Sequence, residues 1–175
     1  VKNRSNLLED QEIMKIYNKQ PTHQAKHSSC GVIVPGVDTI AVSLANCCRP
    51  IPGDPIIGYI SKGQGVKVHR ADCPNIINEK KRLIPVQWEE GLDEKQYEVN
   101  LIIHSDDRNY LLSDIVTTLQ QCNVYLKHVD SAVDDGNLEA TTKLTVSVKN
   151  AAHLQNLISN LKKVRSVNEV IRTIQ

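Results

Sequence analysis

Two hydrophobic periods alternate in a fixed order between residues 97 and 174, and that order leaves few folds open. Tyr97–His104 alternates apolar and polar residues, the period of a half-buried strand. Tyr110–Gln121 switches to helical spacing, with Leu111, Leu112, Ile115, Val116 and Leu119 on the expected apolar face. Val124–Val133 and Leu138–Val148 read as strands joined through Asp135-Gly136, a strong hairpin signal. Asn150 can cap a second helix through Lys163, with Leu154, Leu157, Ile158 and Leu161 inward, and Val167–Ile174 closes as a strand. The order βαββαβ predicts a ferredoxin-like unit with both helices on one face of its sheet.

The texture upstream is different. Val32, Val34, Ile40, Val42 and Leu44 alternate around a Pro35-Gly36 turn signal. Ile56–Ile60 and Val66–His69 are short β-rich runs joined by Lys62-Gly63-Gln64-Gly65, a plausible hairpin. Cys73-Pro74 is expected to open a short helix through Lys81, since proline is tolerated in a first helical turn. Leu83, Val86 and Trp88 are expected to pack as an edge strand. Leu7–Tyr17 is helix-compatible, and the polar run after it, which contains Pro21, reads as a linker. His23 and His27 stand at helical spacing within it and are read as linker histidines. The fold class is therefore α+β, divided as 1–30 linker or remnant of a preceding helical region, 31–82 small β unit, 83–96 connector and 97–175 βαββαβ domain.

Aromatic residues make up only 3% of the chain and Phe is absent, so both cores must be built from Ile, Leu and Val. Charge divides the chain as well. Residues 1–82 carry 12 Lys and Arg against 7 Asp and Glu, a balance of +5, while 83–175 carry 9 against 13, a balance of −4. The first part is the better candidate for touching phosphates. No apolar run approaches the roughly 20 residues of a membrane span, and the first residues lack the apolar core of a signal peptide. The expectation is a cytoplasmic protein without a membrane partner, and a chain opening on Val is expected to be a piece of a longer one.

Five cysteines with no sign of export suit metal ligation or burial better than a disulfide framework. Cys47-Cys48, twenty intervening residues, His69, three more and Cys73 supply four donors of the kind zinc prefers. Spacing alone leaves two other readings open: buried thiols beside a surface histidine, and a Cys73 nucleophile activated by His69. Arg49, Lys62, Lys67, Arg70, Lys80, Lys81 and Arg82 cluster in or just after the same stretch. Gly63 and Gly65 would let backbone N–H groups approach a phosphate closely. The plainer alternative is a solvated basic face.

The run NCCRPIPGDPIIGYISKGQGVKVHRADCPNI resembles the zinc-finger, or ribosome-intersubunit, domain of long RelA/SpoT homologues, the (p)ppGpp synthetases and hydrolases. The likeness rests on the cysteine pair, PxPGD, GYIxKGxGVxVHR and DCPN together. The βαββαβ unit is similar to the ACT domain of those proteins. By this resemblance Cys47, Cys48, His69 and Cys73 are the zinc positions. It also implies docking on the ribosome against 23S rRNA near the A site when deacylated tRNA is bound there. The synthetase, a GTP pyrophosphokinase, and the hydrolase would lie in upstream catalytic domains in cis; no catalytic residue is expected in this chain. An alternative is a stand-alone ACT-type module that senses an amino acid or forms a homo-oligomer. ACT domains often bind amino acids through a DRxGLL-like loop, here Asp107-Arg108-Asn109-Tyr110-Leu111-Leu112, in which Tyr110 replaces the usual Gly. Asp106 and Asp107 are instead expected to cap the helix that follows.

Overall fold

The computed structural model describes residues 29–37, 40–63, 65–92 and 94–174; the expectations for Leu7–Tyr17, His23 and His27 lie outside them. The described residues form two compact units. One takes the chain up to Asn46 together with Pro55–Glu90, and the other takes Cys47–Asp54 together with Gly91 onward.

In the first unit β1 (Val32–Ile33) pairs antiparallel with β6 (Gln87–Trp88). A four-stranded sheet runs in the order β2 (Val42–Leu44), β4 (Gly65–Arg70), β3 (Ile56–Ser61), β5 (Leu83–Ile84). Strands β3 and β4 form the expected antiparallel hairpin, whereas β2 runs parallel to β4. Alternation sends Val66 and Val68 inward, where they join Val32, Val34 and Ile84 in an aliphatic core with Trp88 packed against it. Gly65 has φ +80°, and a side chain there would collide with the Ala41 carbonyl oxygen, so the hairpin needs glycine at this point.

The helix expected from Cys73-Pro74 through Lys81 does not form. Residues 74–78 make consecutive turns, with Ile76 N–H donating to the Cys73 carbonyl at 3.1 Å and Glu79 N–H to that of Ile76 at 2.9 Å. The segment holds two Asn and two β-branched Ile, all weak helix formers, and buries only Ile76, so no apolar stripe supports a helix.

The second unit has the expected βαββαβ order: β7 (Tyr97–Asp106), α1 (Leu111–Gln121), β8 (Tyr125–Asp134), β9 (Glu139–Val148), α2 (Ala151–Lys162) and β10 (Val167–Arg172). Its antiparallel sheet runs β10-β7-β9-β8. Strand β7 buries Tyr97, Val99, Leu101, Ile103 and Ser105 at every second position. Helix α1 buries Leu111, Ile115 and Leu119, while α2 buries Leu154, Leu157 and Leu161. The apolar face expected for α1 is wider than the buried one, since Leu112 and Val116 are each 41% exposed.

Asn150 caps α2 as expected, accepting from the His153 N–H at 2.8 Å. Capping of α1 differs from expectation. Its N-cap is Tyr110 in a left-handed conformation with no side-chain cap bond. The Asp106 carboxylate accepts from Asn168 at 3.1 Å, and the Asp107 N–H donates to the Leu138 carbonyl at 2.7 Å. The loop thus runs alongside the β8–β9 turn and the start of β10 before α1 begins, which engages the Asp106 carboxylate away from the first turn of α1.

Candidate metal centre and the surfaces around it

Parallel pairing of β2 with β4 is what assembles the cysteine–histidine cluster. Leu44 stands opposite Val68, and the Ala45 N–H donates to the Val68 carbonyl at 2.8 Å. Both chains therefore leave the sheet at the same end. The first continues into the Cys47-Cys48 turn, the second into His69, Arg70 and the turn that carries Cys73, whose N–H donates to the Arg70 carbonyl at 3.0 Å.

The donor atoms of Cys47, Cys48, His69 and Cys73 all lie within 4.8 Å of one another. Donors about 2.3 Å from a shared tetrahedral zinc would stand roughly 3.7 Å apart, so a slight contraction would seat an ion. Cys48 and Cys73 are buried, while Cys47 and His69 are half-buried. Burial lowers the His69 pKa, and the Lys67 ammonium beside it lowers it further. A neutral imidazole keeps its lone pair available for a metal. Three thiols and an imidazole on a small β unit fit a structural zinc site by donor chemistry and spacing. The enclosure of Cys73 gives a substrate no approach to its sulfur, which does not suit a nucleophile.

The predicted basic residues are distributed unevenly around this cluster. Lys62 and Gly63 are exposed at the tip of the β3–β4 hairpin, and Lys67 lies on the same outward face of β4 as His69. Lys80 and Lys81 are exposed, Arg82 is half-buried at φ 64°, and Arg70 pairs with Asp72 at 2.8 Å. Arg49 is committed elsewhere: its Nη1 donates to Glu98 Oε2 at 2.7 Å.

Arg108, Asn109 and Tyr110 of the predicted loop border an open depression of about 830 Å³, also lined by Ser113, Asp114 and Arg165, while Asp107 lines a second one of about 500 Å³. Arg108 is spent within it, donating to Asp114 at 2.6 Å, to the Ser166 hydroxyl at 2.9 Å and to the Arg165 and Asn109 carbonyls. Tyr110, at φ 64° and 81% exposed, stands where a glycine would leave room. The Arg108 guanidinium is thus taken up by groups of the chain rather than held open for a ligand carboxylate.

Sequence reasoning passed over Asp54, Glu98 and Arg172. Asp54 takes a bidentate contact from Arg172, whose Nη1 and Nη2 lie 3.0 and 2.8 Å from its two oxygens. The available signal was the PIPGD run itself, since Asp directly after a Pro-Gly turn commonly serves as an acceptor for nearby donors.

The geometry defines a class: a cysteine–histidine β unit in tandem with a βαββαβ domain. Residues 32–89 match the family model of the RelA/SpoT RIS domain, and residues 93–172 match that of the ACT domain. The GTP pyrophosphokinase of Haemophilus influenzae is 34% identical over 172 residues, covering 93% of this chain and 23% of that protein. The bifunctional (p)ppGpp synthase/hydrolase RelA of Mycobacterium tuberculosis is 32% identical over 155 residues, covering 87% of this chain and 21% of that one. Among solved structures, the ACT domain from GTP pyrophosphokinase of Chlorobium tepidum is 24% identical, with TM-score 0.40, over 45% of this chain and 99% of that one. The chain belongs to the RelA/SpoT family and carries its RIS and ACT domains in that order. It spans about a fifth of the length of these curated relatives. Among the described residues no helix is long and apolar enough to cross a membrane.

Proposed function

We propose that this chain is the regulatory part of a stringent-response (p)ppGpp synthetase or hydrolase. In this reading it docks on ribosomal RNA near the A site and relays the presence of deacylated tRNA to catalytic domains elsewhere in the same polypeptide. One observation carries the reading. The β3–β4 hairpin bears the exposed Lys62-Gly63 tip at one end and the metal donor His69 at the other. Bound zinc would cross-link the ends of β2 and β4 and so stiffen that hairpin. Gly63, Gly65, Lys62, Lys67, Arg70, Lys80, Lys81 and Arg82 then form the surface that meets phosphates, by shape and charge rather than base sequence. The strand aromatics of the βαββαβ domain, Tyr97 and Tyr125, do not make a stacking platform: Tyr97 is buried and Tyr125 lies on the edge strand β8.

The test is co-sedimentation of the zinc-loaded chain with ribosomes over a range of salt. Binding is expected to weaken steeply as salt rises. Lys62→Ala with Lys67→Ala should lower affinity and reduce the log–log salt slope by about 1.5 units, from roughly 0.7–0.9 per phosphate contact. A folded, zinc-loaded chain that fails to sediment with ribosomes even at low salt would refute the reading.

Homo-oligomerisation through the ACT domain is a second reading with its own support. Strand β8 is a ten-residue sheet edge, with Tyr125 67% and Val133 45% exposed. A long exposed edge of this kind is a template for pairing with another strand. Amino-acid sensing has less support, because Arg108 is already saturated by groups of the chain.

A further inference from the structure

The PIPGD segment follows the cysteine pair after one residue, Arg49, and the zinc reading gives it no task. In the structure it is tied down at several points. The Asp54 carboxylate accepts from the Ile51 N–H at 2.9 Å, which closes the turn on itself, and from both outer nitrogens of Arg172 on β10. Arg172 Nη2 also donates to the Arg49 carbonyl at 2.9 Å. The Pro52 carbonyl accepts from the Ala151 N–H, the first residue of α2, at 2.7 Å. Gly53 sits at φ +97°, and a Cβ there would come within 2.9 Å of the Ala151 Cβ. Arg49 reaches Glu98 on β7. Arg49, Pro52 and Asp54 are thus each bonded to residues of the βαββαβ domain, and Ile51 between them is fully buried.

We propose that Arg172, through Asp54 and the Arg49 carbonyl, is a positioning residue for the Cys47-Cys48 half of the metal centre. Ionic groups this enclosed, with side-chain exposures of 14% and 9%, are weak evidence of net stabilisation, because desolvation offsets most of their attraction. Their effect is geometric. A planar guanidinium bound to two carboxylate oxygens and a backbone carbonyl fixes the loop in position and angle. Arg49 is the residue next to Cys48, so the backbone leaving the ligand pair is anchored one residue away. A loop so held presents both thiols already ordered, and an ion need not order them on binding. The inference rests on the zinc reading above. It concerns a residue 124 positions beyond Cys48 that takes no part in ligation.

The test is titration of the whole chain with Co²⁺, followed by Zn²⁺ competition. Thiolate-to-cobalt charge transfer counts bound sulfurs, and the d–d bands report tetrahedral geometry. The wild-type chain is expected to show a tetrahedral site with three thiolates. Arg172→Ala and Asp54→Asn are expected to weaken binding 10- to 100-fold, the range seen when outer partners of metal ligands are lost. At saturating cobalt they should also show less charge transfer. Far-UV circular dichroism should be unchanged, and Arg108→Ala should leave affinity alone. Should Arg172→Ala fail to fold, Arg172→Lys carries the test, because it keeps the charge and stem but loses the fork. Affinities of folded Arg172 and Asp54 variants within twofold of wild type would overturn the positioning role while leaving the metal site standing. A wild-type chain that binds neither metal would overturn both.

Discussion

Glu98 shows how one exposed carboxylate is tuned by two cations. A hydrogen bond from Lys127 is the largest influence lowering its pKa; partial desolvation opposes it and Arg49 adds to the lowering. Because the folded-state value is depressed, the stabilisation is present above the ordinary glutamate pKa of about 4.3 and is lost as pH falls through the lowered value. The side chain is 39% exposed, so solvent screening holds the contribution below about 1 kcal/mol. Urea unfolding should therefore show Glu98→Gln less stable than wild type at about pH 6, with the gap closing towards about pH 3. A gap of equal size at both pH values would mean that packing, not charge, is responsible. Gly58 makes a different point at the same scale. A Cβ there would lie 2.8–2.9 Å from Val86, Ile84 and Val66, so this glycine is fixed by core volume, which no local sequence rule reveals.

At the scale of elements, what was legible in the sequence was what is local. The periods of β7, α1, β8, β9, α2 and β10 each lie within about a dozen residues, so their order could be read directly. The width of the buried face of α1 could not, because it depends on how far the sheet extends beneath Leu112 and Val116. The four candidate metal donors were legible as residue types at suggestive spacing. The parallel β2–β4 register that gathers them was not, since pairing between distant strands leaves no mark on either one. Strand β8 carries the element-level prediction. If its edge pairs two copies of the chain, Val133→Lys should shift sedimentation from dimer to monomer, as an inserted lysine commonly blocks strand pairing. A wild-type chain that is monomeric at high concentration would end that reading. So would a dimer indifferent to the substitution.

For the whole molecule, the two units differ in how much they can rely on burial. The βαββαβ domain buries aliphatic residues all along β7 and β9, Val170 of β10 and the apolar faces of both helices. The first unit has five fully enclosed aliphatic residues at its centre, and so small a core is marginal without a further cross-link. Metal removal should accordingly fall unevenly. After chelation, amide hydrogen exchange in β2 and β4 should speed up by well over tenfold, while β7 and β9 keep their protection. Equal protection of β4 with and without chelator would show that the metal does not hold this sheet. The Asp54–Arg172 pair has a consequence in time as well as in space. The two residues are 118 positions apart, and a chain made at about 5–20 residues per second separates their synthesis by roughly 6–24 s. Throughout that interval the cysteine turn can be made and even meet an ion, but its mount does not yet exist. The cysteine loop, made first, reaches its final form only after β10 has been made.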